Sequence, residues 1–336
     1  MSDKSKKIIA FDNACNAYLL DNKGEIIWKE KLKEKPISDV FEVDLFDNKK
    51  VQYVFNTQSY IYALNSNGTT VENFPVYLPE ASTAPMIVVD YSNKKEYRLI
   101  IPCGKMLYNY SKEGTLTKGW NIFKTKSDIN KNLTYLRYND TDCILISDEI
   151  GNVYIANRKG LEEIEIKNPL TVSAYPRFYV NNNSKGKSCV LTTDNTGNII
   201  FISSKGEIAK KSIAKFSPAH FFLFEDFNND KAKEYIFVDS SKLYVYNKDA
   251  KLICSYTFDS SIETQPSFFN KISNKSAIGT ISTNANKIFL IKNDGTLKDG
   301  FPINGSTPFT IGNLNNDGTL NLLVGFEQTI FNYAYH

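Results

Sequence analysis

Two polar turns carry side-chain oxygens at the spacing of a cation-binding loop. The turn at residues 226–234 offers three carboxylates and one amide, from Asp226, Asn228, Asp230 and Glu234. The turn at residues 313–321 offers a single carboxylate, among Asn313, Asn315, Asp317 and Asn321. Calcium takes about six to eight oxygen ligands, several of them charged. The first turn is therefore the better candidate for a calcium site.

Histidine-based chemistry is not indicated. The chain has two histidines, His220 and His336, and it lacks the motifs of serine hydrolases, zinc peptidases and phosphate-binding loops. A Ser-His-Asp triad or a His-ligated metal centre needs such residues brought together in the right number. We expect His220, at the start of a strand, to be packed or partly exposed rather than catalytic.

The candidate turns belong to a unit that repeats along the whole chain. Seven short strands are each followed by a tight turn. These turns end at residues 24, 68, 114, 160, 206, 250 and 295, at intervals of 44 to 46 residues. Each unit contains four segments of alternating apolar and polar residues separated by Asn, Asp, Gly and Lys turns, which is typical of antiparallel strands. The pattern predicts an all-β fold, a β-propeller of four-stranded antiparallel blades that forms a single domain over residues 1–336.

The number of blades is decided by the two ends of the chain. The N-terminus supplies the second, third and fourth strands of a unit, and the C-terminus supplies the first, second and third. One shared blade would need four strands, whereas six are present. The sequence therefore favours eight blades with incomplete first and last blades. Seven blades with one displaced strand pair is the alternative.

Four aspartates recur at the end of the second strand of a unit: Asp12, Asp148, Asp194 and Asp239. Recurrent carboxylates could form an acidic ring with a catalytic role. Recurrence at one repeat position instead favours a structural role, in which each carboxylate caps the turn that follows it.

Three short phrases suggest a family. Gly300-Phe301-Pro302, Asn73-Phe74-Pro75 and Gly119-Trp120 occupy the same place in three units. Together with "LNNDGTLNLLVG" they resemble the FG-GAP/VCBS-type propellers, relatives of the integrin alpha-chain propeller. The tight-turn strand is also similar to the quinoprotein-like repeat of envelope assembly propellers. The resemblance covers the whole chain and implies a propeller fold.

The resemblance also implies a ligand set for calcium. In that family the turn between the first and second strands can hold calcium through oxygens at positions 1, 3, 5 and 9 and a backbone carbonyl at position 7. Both turns match this spacing, although Lys231 stands where glycine is usual. Asn and Asp side chains also bond the backbone amides of ordinary turns. A plain turn is the favoured interpretation of both, and a calcium ion at residues 226–234 is the alternative.

Composition excludes several classes of protein. The net charge of +3 is spread without a basic block, so nucleic-acid binding is not expected. No apolar run approaches the roughly 18 residues of a membrane helix, and the first residues do not read as a signal peptide. Five cysteines without C-x-x-C spacing are expected to be small core residues. The compartment is unknown from the residues, and the family resemblance implies a periplasmic or extracellular location.

A non-enzymatic scaffold that binds a protein or another macromolecule is the favoured function. Loops on one rim of a propeller vary freely while the sheets hold them in place. The loops expected on this rim are residues 33–38, 78–85, 124–132, 215–220 and 259–266. The alternative is a glycan- or polymer-binding lectin, or a lyase-like enzyme, that uses the central channel face. A quinoprotein dehydrogenase is a third class, but its cysteine pair and calcium ligands are not recognisable.

Overall fold

Alternating apolar and polar segments form thirty β-strands and no helix in the residues that the structure describes. The computed structural model describes residues 6–138, 140–166, 170–182, 188–272 and 275–335. The strands form eight antiparallel sheets, six with four strands and two with three. The fold is an eight-bladed all-β propeller, as the sequence predicts, and the seven-bladed alternative is wrong. Over the same residues no helix is long and apolar enough to cross a membrane.

The chain divides into two compact units. The first comprises Ile8–Asp194 and Asn198–Lys211, and the second runs from Ser212 onwards with Asn195–Gly197 and the N-terminal Lys6 and Lys7. A single domain over residues 1–336 therefore stays a prediction.

The first unit contains sheets 1 to 5. Sheet 1 consists of β1 (Ile8–Phe11), β2 (Asn16–Leu20) and β3 (Ile26–Lys31). Sheet 2 consists of β4 (Phe41–Val43), β5 (Gln52–Asn56), β6 (Tyr60–Asn65) and β7 (Val76–Tyr77). Sheet 3 consists of β8 (Ile87–Val89), β9 (Arg98–Cys103), β10 (Met106–Ser111) and β11 (Phe123–Lys124). Sheet 4 consists of β12 (Thr134–Tyr138), β13 (Thr141–Ser147), β14 (Val153–Asn157) and β15 (Glu162–Ile164). Sheet 5 consists of β16 (Tyr179–Asn182), β17 (Ser188–Thr193), β18 (Ile199–Ile202) and β19 (Ile208–Lys211).

The second unit contains sheets 6 to 8. Sheet 6 consists of β20 (Phe221–Glu225), β21 (Glu234–Asp239), β22 (Lys242–Tyr246) and β23 (Leu252–Thr257). Sheet 7 consists of β24 (Ser267–Ile272), β25 (Lys275–Ser282), β26 (Lys287–Lys292) and β27 (Ile303–Asn304). Sheet 8 consists of β28 (Thr310–Gly312), β29 (Leu320–Phe326) and β30 (Thr329–Tyr335).

Every sheet is a meander, in which each strand pairs with the strands before and after it in sequence. Short polar turns can make such antiparallel connections without a crossover. The first and last sheets are the three-stranded ones, which confirms the strand assignment at both ends of the chain.

The core of each unit consists of apolar layers between consecutive sheets. Val54 of sheet 2 and Ile101 of sheet 3 lie in one such layer, and Leu145 of sheet 4 and Ile200 of sheet 5 lie in another. Strand residues on both faces of a middle strand are buried, so β5 is buried at all five positions. This pattern explains why the second and third strands read as nearly continuous apolar runs rather than strict alternations.

The Phe and Trp residues of the family-like phrases fill these layers. Phe74 and Phe301 pack against the layers of sheets 2–3 and 7–8, and both precede a cis proline. Trp120 packs in the layer of sheets 3–4, and its Nε1 donates a hydrogen bond to the Leu107 carbonyl at 3.1 Å. Trp28 is buried against sheet 2 and donates to the Ser66 carbonyl at 3.1 Å. Both tryptophans therefore have packing roles.

The repeated turn glycine is required by close approach as well as by backbone conformation. Gly160 and Gly206 have φ values of +74° and +73°. A Cβ on Gly160 would lie 2.1 Å from the Asn121 carbonyl oxygen, and one on Gly206 would lie 1.8 Å from that of Glu165. Glycine therefore lets the tight turn of one sheet rest on backbone next to the last strand of the previous sheet.

Removing the large buried ring of Phe237 should destabilise the protein strongly. Phe237 is fully buried in sheet 6, where it stacks on Phe216 with ring centroids 4.1 Å apart. We expect Phe237→Ala to cost about 3–5 kcal/mol of unfolding free energy, because it leaves a cavity. Phe46→Ala, at a phenylalanine that is 53% exposed, should change it by less than about 0.5 kcal/mol. Urea denaturation measures both, and equal losses would contradict the assignment of the core.

Candidate functional site

The turn at residues 226–234, between β20 and β21, uses most of its side-chain oxygens to hold its own backbone. The Asp230 N–H donates to Asn228 Oδ1 at 3.0 Å. The Lys231 N–H donates to Asp226 Oδ2 at 3.1 Å. Lys231 has φ +73°, a conformation that L-residues adopt only when surrounding bonds hold them there. These oxygens therefore do in the folded chain what the plain-turn interpretation predicts.

Glu234, the ninth residue of this turn, is buried. It is 2% exposed, and its Oε2 accepts hydrogen bonds from the N–H groups of Phe227 at 2.8 Å and Asn228 at 3.4 Å. Burial raises the pKa of the Glu234 carboxyl above its ordinary value of 4.5, the two backbone bonds lower it, and the charges of Asp230 and Asp226 raise it further. The net effect is a raised pKa, because desolvation disfavours the charged form.

A calcium ion would have to displace several of these bonds. One oxygen, Asp226 Oδ1, is buried and has no hydrogen-bond partner among the described residues. Over the described ranges, no three Asp, Glu, His or Cys side chains gather in a way that could hold a metal ion. The four predicted ligands share one turn, but their oxygens bond its amides. Calcium binding at residues 226–234 therefore stays a prediction.

The turn at residues 313–321 has the same internal bonds with weaker acceptors. Asn313 Oδ1 accepts the Asp317 N–H at 3.1 Å, and Asn321 Oδ1 accepts the Leu314 N–H at 3.3 Å. The sixth position is Gly318, with φ +89°. Because the amides at the first and ninth positions are uncharged, this turn offers a cation less than the turn at 226–234 does.

The corresponding turns of sheets 2 and 3 have the same side-chain to backbone hydrogen bonds, although their sequences depart from the calcium-binding pattern. Asp44 Oδ1 accepts the Asn48 N–H at 3.0 Å, and Gln52 Oε1 accepts the Leu45 N–H at 2.8 Å. In sheet 3, Asp90 Oδ2 accepts the Lys95 N–H at 2.6 Å. A first-position side chain that bonds the far side of the turn is thus common to four sheets.

A lysine ammonium supplies the positive charge at the turn of sheet 2. Lys95 Nζ, from the corresponding turn of sheet 3, lies 2.7 Å from Asp44 Oδ2 and 2.6 Å from Asp47 Oδ1. The hydrogen bond to Asp44 is the largest cause of the raised pKa of Lys95, and it also holds the pKa of Asp44 below its usual value. The pair joins two neighbouring sheets through their turns.

Three of the four recurrent aspartates cap the turn that follows them, as the sequence predicts. Asp12 and Asp148 each accept the backbone N–H and the side-chain amide of the asparagine four residues later, at 2.7–2.9 Å. Asp194 does the same with Asn198, at 3.0 and 2.9 Å. Burial opposes ionisation of Asp148, but the bonds from Asn152, Tyr154 and Ser127 together outweigh it, so the pKa of Asp148 is lowered.

The fourth aspartate differs from the prediction. Asp239 bonds backward to Ser217, accepting its N–H at 2.8 Å and its hydroxyl at 2.6 Å. The turn after Asp239 consists of only Ser240 and Ser241. The residue four positions after Asp239 therefore lies inside β22 and not in the turn. The carboxylate holds the loop before sheet 6 instead.

His220 is a packed residue. It is fully buried, and its Nδ1 donates to the Ser217 carbonyl oxygen at 2.6 Å. Its ring packs near the rings of Phe216 and Phe237, with centroids 5.9 and 5.6 Å away. The predicted packing role of His220 is confirmed, whereas His336 lies outside the described residues.

Loops between consecutive sheets of the first unit are hydrogen-bonded to one another and to neighbouring sheets. In the loop at 78–85, Ser82 N–H donates to the Gln58 carbonyl at 2.7 Å and Thr83 Oγ1 donates to the Ile129 carbonyl at 2.6 Å. The loop at 124–132 is bonded in turn to the next sheet, because the Glu149 N–H donates to the Asp128 carbonyl at 2.7 Å. Backbone held in this way loses little conformational freedom when a ligand binds.

Two loops of this unit carry an exposed apolar side chain, and we call these loops together the rim patch. Ile150, in the turn between β13 and β14, is 62% exposed, and Tyr175, in the loop before β16, is 46% exposed. Lys126, Asp128 and Glu149, on the same turn or on the loop bonded to it, are exposed as well. The Ile150 turn is tied to both neighbouring loops. Its N–H donates to Ser127 Oγ at 3.4 Å, and the Gly151 carbonyl accepts the Val172 N–H at 3.4 Å. Sequence patterns did not single out Ile150, because its exposure depends on how the loops pack.

Comparisons with known proteins show the fold. No family model matches the chain. No curated protein matches it either. Among solved structures, it is similar to BBS1N in complex with ARL6DN, with 14% identity over 95% of this chain and 94% of that one, and a TM-score of 0.59.

Two further solved structures are similar over most of their length. BamB from Moraxella catarrhalis has 12% identity over 96% of this chain and 92% of that one, with a TM-score of 0.60. A streptogramin B lyase has 17% identity over 87% of this chain and 92% of that one, with a TM-score of 0.51. The chain has the fold of β-propeller proteins. At these identities the likeness concerns fold alone, and the neighbours range from a lyase to a protein crystallised in complex with another.

Substitution of the buried carboxyl in the first candidate turn should change stability in a pH-dependent way. Glu234→Gln retains an oxygen for the Phe227 N–H, as Gln52 and Asn321 do in the equivalent turns. Because the pKa of Glu234 is raised in the folded state, the folded state binds this proton more tightly than the unfolded state does. Wild-type stability therefore falls as pH rises from 4.5, the ordinary pKa of a glutamate, through the folded pKa. We therefore expect the variant to be more stable than the wild type at pH 7, and the difference to vanish below pH 4.5.

Urea denaturation at several pH values measures this difference. Gln52→Glu is the matched reciprocal control, because Gln52 is equally buried at the equivalent position and should lose stability at pH 7. A Glu234→Gln variant that is less stable than the wild type at pH 7 would show that the charge of Glu234 is needed in the turn.

Calcium should have at most a small effect on thermal stability. Any shift at millimolar calcium should disappear in Asp230→Ala and persist in Asp317→Ala, because residues 226–234 supply three carboxylates and residues 313–321 supply one. Differential scanning calorimetry with calcium and with chelator measures it. A large shift abolished by Asp317→Ala alone would reverse the ranking of the two turns.

Proposed function

We propose that this propeller is a non-enzymatic scaffold that binds another protein at the rim patch. The observation that supports it most is the exposure of Ile150 and Tyr175 on loops whose backbone is already held by hydrogen bonds. Protein interfaces favour aromatic and apolar side chains at the centre of a polar, charged rim. A surface that is fixed before binding also loses less entropy on association.

The side chains that could take part in catalysis are bonded to the protein's own backbone, which supports the same proposal. His220 is buried against the Ser217 carbonyl, and Asp12, Asp148 and Asp194 bond their own turns. A general acid or base must be within hydrogen-bond reach of a substrate. These groups are committed to structure, so we propose no catalytic role for them and no resident cofactor.

A propeller neighbour that binds a protein is consistent with this role. BBS1N was crystallised in complex with ARL6DN. The FG-GAP/VCBS-like assignment and an exported, cell-envelope location remain part of the proposal, and both derive from the family-like phrases of the sequence. Fractionation of cells that express the native gene would test the location.

Substitution in the rim patch should abolish partner binding. Ile150→Asp places a charge on the more exposed of the two apolar side chains of the patch, and we expect it to lower recovery of the partner at least about tenfold, as for a typical interface hot spot. Leu161→Asp is the matched control, because Leu161 is 48% exposed in a turn at the other end of the same sheet. Quantitative pull-down from an extract of the source organism, with wild type and both variants, measures the effect.

Two outcomes would contradict the proposal. A partner that is lost with Leu161→Asp and retained with Ile150→Asp would place the interface elsewhere. Turnover of a glycan or of another small substrate that survives Ile150→Asp would favour the lectin or lyase-like alternative on the channel face.

A further inference from the structure

The outer edges of the sheets are protected against pairing in seven of the eight sheets. Proteins prevent edge pairing with very short edge strands, charged residues or bulges. In the described residues, β7, β11 and β27 have two residues each and β15 has three. The strand β19 has four residues and ends in Lys210 and Lys211. The strands β3 and β23 are longer, but each contains a bulge in its pairing with the preceding strand, and β3 also carries three charges.

The last strand of sheet 8 has none of these protections. The strand β30 has seven residues, Thr329 to Tyr335, without a charge, a proline or a glycine. Its register with β29 runs without a bulge from Phe326↔Thr329 to Leu320↔Tyr335. Among the described residues β29 is its only partner, so the other edge of β30 presents a full row of backbone donors and acceptors.

The side chains of β30 are also less covered than those of equivalent strands. The third strands of sheets 2 and 7, β6 and β26, each have four buried residues, whereas β30 has none. Phe331, Tyr333 and Tyr335 pack only partly against the apolar layer of sheets 7 and 8, and Ile330 is exposed on the opposite face. In four-stranded sheets a fourth strand lies at this edge. A strand is therefore the kind of neighbour that fits this edge.

We propose that β30 pairs with β30 of a second copy of this chain, antiparallel, about a two-fold axis at Asn332. This register places Phe331 opposite Tyr333 and Ile330 opposite Ala334, each pair on one face of the sheet. Cross-strand aromatic pairs stabilise antiparallel sheets. The two three-stranded sheets become one continuous six-stranded sheet.

The chemistry of the edge favours a second copy over a different protein. A two-fold dimer brings each residue of the edge close to its own symmetry mates, so any charge near the axis would be repelled. The strand β30 has no charge, and its sequence is self-complementary in aromatic and aliphatic residues about Asn332. A strand of seven residues is about 24 Å long, so the interface is small and the dimer weak, with a dissociation constant on the order of 10–100 μM.

Sedimentation equilibrium of the intact chain tests the proposal. The average mass should rise from 38.1 kDa towards twice that value as the concentration rises through this range. The double substitution Ile330→Lys with Ala334→Lys puts like charges directly opposite each other in the dimer, and should lower the association constant about tenfold or more. The double substitution Ile330→Glu with Ala334→Glu should do the same. Ile253→Lys, on the open edge of β23, is the matched control and should leave association unchanged.

A mixture of the lysine and glutamate double variants separates the proposed contact from a folding defect. In the proposed register each lysine faces a glutamate, so the mixture should associate at least as well as the wild type while neither variant associates alone. A wild type that remains at 38.1 kDa throughout, or that forms open-ended aggregates, would overturn the proposal. So would double variants that dimerise normally, or a mixture that fails to associate.

Discussion

No sheet of this protein can bury both of its apolar faces by itself, and this constraint explains most of the structure. Middle strands such as β5 are buried at every position, which requires a neighbouring sheet on each side. Burial of apolar surface contributes about 25 cal/mol per Å², so an uncovered face would cost many kcal/mol. Stacking of consecutive repeats against one another meets this need, and it requires every repeat to have nearly the same length. The regular spacing of the tight turns follows from it.

The turns meet a second requirement, which is that each backbone amide near a strand end must find a partner. Side chains within the turn supply these partners. Asp12 reaches Asn16, Asp44 reaches Asn48, and Glu234 reaches Phe227, all within seven residues. The same oxygens could ligate a cation, because carboxylate and amide oxygens suit both backbone amides and calcium. Spacing alone therefore does not distinguish a turn from a metal site.

Local features of the structure could be predicted from the sequence, and contacts between sheets could not. The end strands β1 and β30 gave the number of sheets because strand pattern is a local property. The capping role of Asp194 was predictable for the same reason. The reach of Asp239 back to Ser217 and of Lys95 to Asp44 spans 22 and 51 residues. Side-chain partners at such separations are set by packing, for which repeat spacing gives no signal.

The outer strands show where local patterns mislead. The repeat pattern predicts four strands but not their lengths, and the last strands β7, β11 and β27 are only two residues long. A segment of alternating apolar and polar residues at a sheet edge has a neighbouring strand on one side only. Its apolar residues therefore pack into the core and hold the connection between sheets in place. Phe74 does this just before β7.

The sixth residue of the first-to-second-strand turn affects how the repeats diverge. It is Lys49, Lys95 or Lys231 in three sheets and Gly318 in a fourth, always at positive φ. A left-handed conformation costs an L-residue about 1–2 kcal/mol, while glycine loses roughly 0.5–1 kcal/mol more chain entropy on folding. The first penalty is the larger, so glycine is favoured at this position wherever a side chain would make no contact of its own. Lys95 does make such contacts, with Asp44 and Asp47, so the residue at this position decides whether one turn is bonded to the turn of the neighbouring sheet.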